Sequence, residues 1–339
     1  EVMKNYKGAD HIFYLPLDGP VNAKKTVDAL NPSLVLWVKY EFWYYYLLEL
    51  KGRNIPVLLI SGIFRPGHPF FKWYGGIWRK MLECFSFFFV QNESSADLLA
   101  TTGILENIIV TGDTRFDRVI DIAEKFEALP VIKQFCGESK VLVAGSTWED
   151  DEAELIHYVT GNPQIKFIIA PHETDADNLK DVKKEFMNAI FYSELLNISN
   201  THGNYQPTTN NQQPTTPNVL IIDNVGMLSR LYAYGNIAYV GGGFGADGVH
   251  NVLEAAVYGK PVIFGPEIEK YAEAVGLVES GGGITIADTL ELESVLNELW
   301  GNPSLMIDKG KAAKNYVYLN AGASNKIIQL IYEKRLLTN

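Results

Sequence analysis

The sequence predicts an α/β protein of two Rossmann-like, doubly wound domains, and three observations carry this. Short apolar runs of strand length alternate with helix-periodic segments from end to end. A polar, helical stretch at Asp117–Gly137, broken at Pro130, separates two sets of such units. At 339 residues and 47% apolar content, the chain is long enough to bury two cores.

In the first half the strand candidates are 11–15, 34–38, 56–60, 86–90 and 108–111. Helical periodicity lies between them, as at Glu41–Lys51 and Glu93–Thr101. In the second half the strands are expected at 140–144, 166–170, 219–222, 237–241, 261–264 and 283–286. The domains are then expected at 1–125 and 126–324, with a last helix in 325–339 that packs back on the first. One insertion, Ile198–Asn218, is rich in Asn, Thr, Gln and Pro and lacks apolar periodicity, so it reads as a disordered surface loop.

Composition excludes several classes. A net charge of −11 argues against a nucleic-acid partner. Cys84 and Cys136 lack metal-ligand spacing, and no window of eighteen apolar residues offers a membrane span. No phosphate loop, Gly-x-Ser-x-Gly elbow or first-turn dinucleotide fingerprint is present. The chain opens on Glu1-Val-Met-Lys and runs almost at once into 11–15, which reads as a start part-way through a domain.

The richest stretch is Tyr239–Gly265: a buried strand, a glycine turn, a helix expected from about Asn251, and a second buried strand. Such a turn, with Gly242 and Gly243, offers backbone N–H groups and a helix dipole to an anion. Asn251 and Glu254 stand three residues apart, on one helix face. A carboxylate there suits the vicinal hydroxyls of a ribose, and the N–H groups suit its phosphate. The pattern is that of a nucleotide-sugar site.

Other strand ends add candidates, each with a plainer alternative. Gly145-Ser146-Thr147 precedes an acidic helix start and is either a cap or a donor to a ligand carboxylate or phosphate. Pro171-His172 follows the strand at 166–170; His172 is either a structural hydrogen-bonding residue or a ligand contact. Gly226-Met227 either begins a helix, with Met227 in the core, or offers its backbone to stack against or hydrogen-bond a base. Glu41 pairs with Lys39 or binds an acceptor hydroxyl. Between Phe64 and Met81, Arg65, Lys72, Arg79 and Lys80 occur among large aromatics with no acidic residue. That mixture suits a lipid headgroup surface, or a helix whose aromatics complete the core.

Together these motifs resemble the 3-deoxy-D-manno-octulosonic acid (Kdo) transferases of lipopolysaccharide assembly. The resemblance rests on Gly145-Ser-Thr, Ala170-Pro-His172, Gly248-Val-His-Asn-Val-Leu-Glu254 and Gly259-Lys-Pro-Val-Ile-Phe-Gly265. In the first half it rests on Tyr40-Glu-Phe-Trp43 and Gly112-Asp-Thr-Arg-Phe-Asp117. It implies a GT-B fold, two domains facing a cleft, and inverting, metal-independent transfer of Kdo from CMP-Kdo to a lipid A precursor. The expected place is the cytoplasmic face of the bacterial inner membrane, held peripherally, with no cofactor beyond the donor. It assigns Gly145, Ser146, Thr147, Pro171, His172, Gly226, Met227, Gly242, Gly243, Asn251 and Glu254 to the donor. Glu41, Arg65, Lys72, Arg79 and Lys80 fall to the acceptor or bilayer.

Two departures accompany the resemblance. The family's hydrophobic anchor and the Ser-x-Gly-Glu motif of its general base would lie before Glu1, so an N-terminally truncated transferase is expected and its catalytic residue is unknown. His172-Glu173 stands where many relatives carry Arg-His, and an imidazole holds phosphate less firmly than a guanidinium. Two further readings stay open: another nucleotide-sugar enzyme such as an epimerase, and a non-catalytic nucleotide-sugar or lipid-binding module.

Overall fold

The computed structural model of the chain describes residues 8–39, 41–202 and 217–337. The chain divides into two compact units: Glu1–Arg118 with Asn320–Asn339, and Val119–Leu319.

Unit 1 is built on four parallel strands in the order of the chain: β1 (Val35–Val38), β2 (Val57–Gly62), β3 (Phe87–Val90) and β4 (Ile108–Val110). Strand alternation splits the apolar run of β2 between two layers. Leu59 faces one side, with Leu47, Leu50, Phe70, Phe88 and Leu99. Leu58 and Ile60 face the other, where they meet Phe89 and the Ile327 and Ile331 of the C-terminal helix Ala323–Glu333. Asp117 fixes the start of that helix, accepting from the N–H groups of Gly322 (2.5 Å) and Ser324 (2.7 Å).

The expected strand at 11–15 is corrected. This segment joins no ladder among the described residues, and Ile12, Phe13 and Tyr14 are exposed. An apolar run carries strand propensity but does not supply a neighbour to pair with. The stretch 117–137 holds parts of two helices, Thr114–Glu124 and Pro130–Cys136; the proline stands at the first helical position, where its missing N–H costs nothing.

Unit 2 carries seven parallel strands: β5 (Val141–Thr147), β6 (Lys166–Pro171), β7 (Ala189–Phe191), β8 (Val219–Ile221), β9 (Ile237–Val240), β10 (Val262–Phe264) and β11 (Gly283–Thr285). Their spatial order is β11-β10-β9-β5-β6-β8-β7. The chain starts at β5, lays β6 beside it, sets β7 at the edge, fits β8 between β6 and β7, then returns to lay β9 on the other side of β5. The order therefore reverses between β5 and β9, and in an open α/β sheet the crevice for ligands lies there, beyond the carboxyl ends. Both sheet faces are covered, so the strands read as unbroken apolar runs; Val143, Ile168, Leu220 and Tyr239 are all fully buried.

The edge strand β7 is an addition to the sequence reading; three residues are too few to show a period. The insertion is corrected at its start, since Ile198–His202 continue the helix Tyr192–His202. Asn and Thr are weak helix formers, yet a helix already nucleated extends through them. The remainder of the expected loop, 203–216, lies outside the described residues. Asn218, at its far end, is buried and accepts from Asn188 Nδ2 at 2.9 Å.

Candidate functional site

The ends of β9, β5, β6 and β8 stand side by side and place most of the expected donor residues together. At the end of β5, Gly145 has no room for a side chain, because Tyr232 Oη and Leu228 Cδ1 occupy the space a Cβ would take. Ser146 adopts a left-handed φ of 54°, at the irregularity where β5 slips register against β6. A non-glycine residue held there is under strain that its surroundings must impose. Thr147 departs from expectation: it is buried, and its hydroxyl donates to Glu152 Oε1 at 2.7 Å, so it has no hydroxyl proton for a ligand. Ser146 remains the partly exposed hydroxyl of the pair.

Pro171 ends β6, and the His172 N–H donates back to Thr147 O at 2.8 Å, leaving the imidazole exposed. Beyond β8, Gly226 is exposed with φ 97°, but Met227 is only 5% exposed. Its side chain belongs to the core, which leaves the backbone of this pair as the part open to a base.

The glycine turn after β9 is fastened to the end of β5. Gly241 N–H donates to Gly145 O at 2.9 Å. Asp151, buried in the first turn of the helix Glu149–Gly161, accepts from three donors: Gly242 N–H (2.8 Å), Trp148 N–H (2.9 Å) and the Tyr239 hydroxyl (2.7 Å). Burial pushes the Asp151 carboxyl up, and those three bonds oppose the rise. Gly243 lies so close to Gly265 that a Cβ would stand 2.6 Å from its nitrogen. Next to Asp151, Glu152 is buried beside other carboxylates and is pushed up to about 7.

Asn251 and Glu254 do share a face: Asn251 Nδ2 donates to Glu254 Oε1 at 3.1 Å. The helix is shorter than expected, however. It spans Leu253–Ala256, a single turn, and the residues before it form the approach to that turn. One turn sums few peptide dipoles, so what this turn offers an anion is individual N–H groups rather than a macrodipole.

Three rings gather beside the turn. Trp148 stacks on His172 with centroids 4.4 Å apart, His172 on His250 at 4.5 Å, and Trp148 Nε1 donates to His250 Nε2 at 2.9 Å. His250 must then carry its own proton on Nδ1. Burial first, and the neighbouring His172 second, lower its pKa, while Asp247 opposes them. Sequence reasoning missed Trp148, Asp151 and His250. Their signal was modest: a Trp directly after a Gly-Ser-Thr strand end, and a His directly before Asn251.

The unit 1 candidates are placed separately. Arg65 and Lys80 are exposed and Lys72 is half-buried. Arg79 is used locally, its Nη1 donating to the carbonyls of Phe70 (3.1 Å) and Lys72 (3.0 Å). Beside them Trp73 is 92% exposed, and Tyr74 and Ile77 are about half exposed. Glu41, also exposed, lines an apolar groove of about 320 Å³ with Leu36, Trp43 and Tyr46. Among the described residues no helix is long and apolar enough to cross a membrane, and no group of His, Cys, Asp and Glu is arranged to hold a metal.

Comparison with known proteins agrees with these motifs. Residues 1–118 match the family profile of 3-deoxy-D-manno-octulosonic-acid transferase (kdotransferase). A 3-deoxy-D-manno-octulosonic acid transferase of Haemophilus influenzae is 25% identical over 340 residues, covering 94% of this chain and 74% of that protein. The chain is thus similar to Kdo transferases over most of its length, and its first 118 residues carry that family's domain profile. A bifunctional glycosyltransferase/methyltransferase of Fusobacterium nucleatum is 26% identical over 271 residues; the match spans 78% of this chain and 39% of that longer protein. In fold, this Kdo transferase relative is similar to UDP-GlcNAc 2-epimerase from Neisseria meningitidis, with a TM-score of 0.62 at 18% identity over 92% of this chain and 79% of that one. Two α/β units, each on a parallel sheet, in an arrangement similar in fold to GT-B enzymes, are thus its architecture.

Proposed function

We propose that unit 2 binds the CMP moiety of CMP-Kdo and that the protein transfers Kdo to a hydroxyl of a lipid A precursor. The observation that carries this reading is the convergence at the β5–β9 switch point, in a chain similar to Kdo transferases over most of its length. Gly145–Ser146, the Gly242–Gly243 turn and the Asn251–Glu254 pair lie together there. Glycines without side chains let backbone N–H groups approach a phosphate, and Glu254 takes the ribose hydroxyls. Ser146 completes the donor contacts from the end of β5. In transfer with inversion, CMP leaves as the acceptor oxygen attacks, and oriented N–H groups at the turn stabilise the charge that develops on the phosphate. No residue described here is assigned as the base.

On unit 1, Arg65, Lys72 and Lys80 with the exposed Trp73, Tyr74 and Ile77 suit an anionic bilayer surface, and Glu41 suits an acceptor hydroxyl. Arg79 supports them by holding the Phe70–Lys72 turn.

Calorimetric titration with CMP, against UMP and NAD, tests the donor reading. Selective CMP binding is expected; a folded protein that ignores CMP overturns it. The fold likeness to a UDP-GlcNAc 2-epimerase favours one second reading, an enzyme of UDP-sugars, which the same titration with UDP-GlcNAc distinguishes.

A further inference from the structure

Trp148 and His250 form one flat surface. Their rings are inclined by only 12°, with centroids 6.3 Å apart, and the indole N–H donates to the imidazole edge. Two near-parallel rings joined edge to edge by a hydrogen bond lie side by side. His172 covers both, inclined by 23° to Trp148 and 19° to His250. Behind His250 the surface is closed by the glycine turn, since a Cβ on Gly242 would stand 2.8 Å from the ring carbon Cδ2. In front stands His172, exposed, its ring nitrogens making no hydrogen bond among the described residues.

We propose that the Trp148–His250 pair is a nucleobase platform and that His172 is a removable cover, which the base replaces. The inference rests on the nucleotide-site reading above and adds where the base lies. A heteroaromatic base has the thickness of the imidazole it displaces and a larger face to offer in offset stacking. His250 directly precedes Asn251, which places the platform at the start of the segment that carries the Asn251–Glu254 pair. Met227 cannot serve instead, because its side chain is in the core. Bases share the π-face that the platform reads, so the stacking contributes affinity, and discrimination between bases falls to edge contacts.

The test compares CMP with ribose 5-phosphate, which keeps the sugar and phosphate but has no base. Trp148→Ala is expected to weaken CMP binding about tenfold and leave ribose 5-phosphate unchanged, as the loss of one base–aromatic stack should. Trp148→Phe keeps a ring and most of the affinity, and His172→Ala, with no cover to displace, binds CMP more tightly than the parent. Cytosine H5 and H6 resonances move upfield on binding to the parent protein and do not with Trp148→Ala. If the parent binds CMP and the variants bind both ligands as it does, the platform is wrong and the donor reading stands. If the parent takes UMP or AMP instead of CMP, the donor reading fails and the same variants test the platform with that nucleotide. If it binds no nucleotide, both fall.

Discussion

At the scale of single residues, the proposed function divides the site into groups that would touch a ligand and groups that hold those in place. Glu254 is of the first kind. Glu254→Ala should weaken CMP binding by about 1–3 kcal/mol, the scale of one charged hydrogen-bonding group. Unchanged affinity in a folded variant would remove it from the ribose. Glu152 is of the second kind, and its value near 7 has a definite sign. The folded state holds this proton more tightly than the unfolded chain, so stability is greatest below the ordinary carboxylate range and falls as pH rises through about 7. Glu152→Gln should remove that slope and be more stable than the parent at pH 8 by about 1–3 kcal/mol in urea denaturation. Equal slopes for both proteins would refute this. His250 runs the other way: acidification below the ordinary imidazole range protonates Nε2 and takes away the acceptor of Trp148. Glu254 was legible in the sequence, because its partner lies three residues off. Trp148 and His250 were not, since only the lateral pairing of β5 with β9 brings residues 102 apart into contact.

Among elements, the glycine turn is the least forgiving. Gly243 meets backbone, not a side chain that can turn aside, so Gly243→Ala should cost about 1–3 kcal/mol or more by thermal melt. A neutral result would mean that the turn and the Gly265 strand end can part. The segment 69–82 is built differently: Phe70 joins the core, while Trp73, Tyr74, Ile77 and Lys80 stay outside. Trp73→Ala combined with Lys80→Ala should reduce co-sedimentation with anionic vesicles while the melting temperature stays put; retained binding would leave this surface without a lipid role. Most strands were legible, because buried parallel strands are apolar throughout and are bounded by turn residues. The two misjudged pieces fail for a shared reason. The strand at 11–15 needed a neighbour, and the helix at 253–256 needed room to start earlier; neither is written in local periodicity.

For the whole molecule, two α/β units were legible from the alternation of strand and helix, and a last helix was expected to pack back on the first; local pattern carries that helix but not the surface it meets. Unit 1 draws on both ends of the sequence. Ile327 and Ile331 bury their side chains on Leu58, Ile60 and Phe89, each such burial stabilising by about 1.5–3 kcal/mol. A chain ended at Leu319 should therefore lose amide protection in β2 and β3 while unit 2 keeps its protection and its nucleotide affinity. Retained protection in β2 would show that the helix is dispensable. The same layout sets a schedule. During synthesis, the apolar face of the first sheet emerges early and stays bare until residues 320–339 follow, after the whole of unit 2 has been made. At ordinary translation speeds that interval is roughly 10–40 s, so a newborn chain carries one finished half and one open half, and the open one is where a chaperone has something to hold.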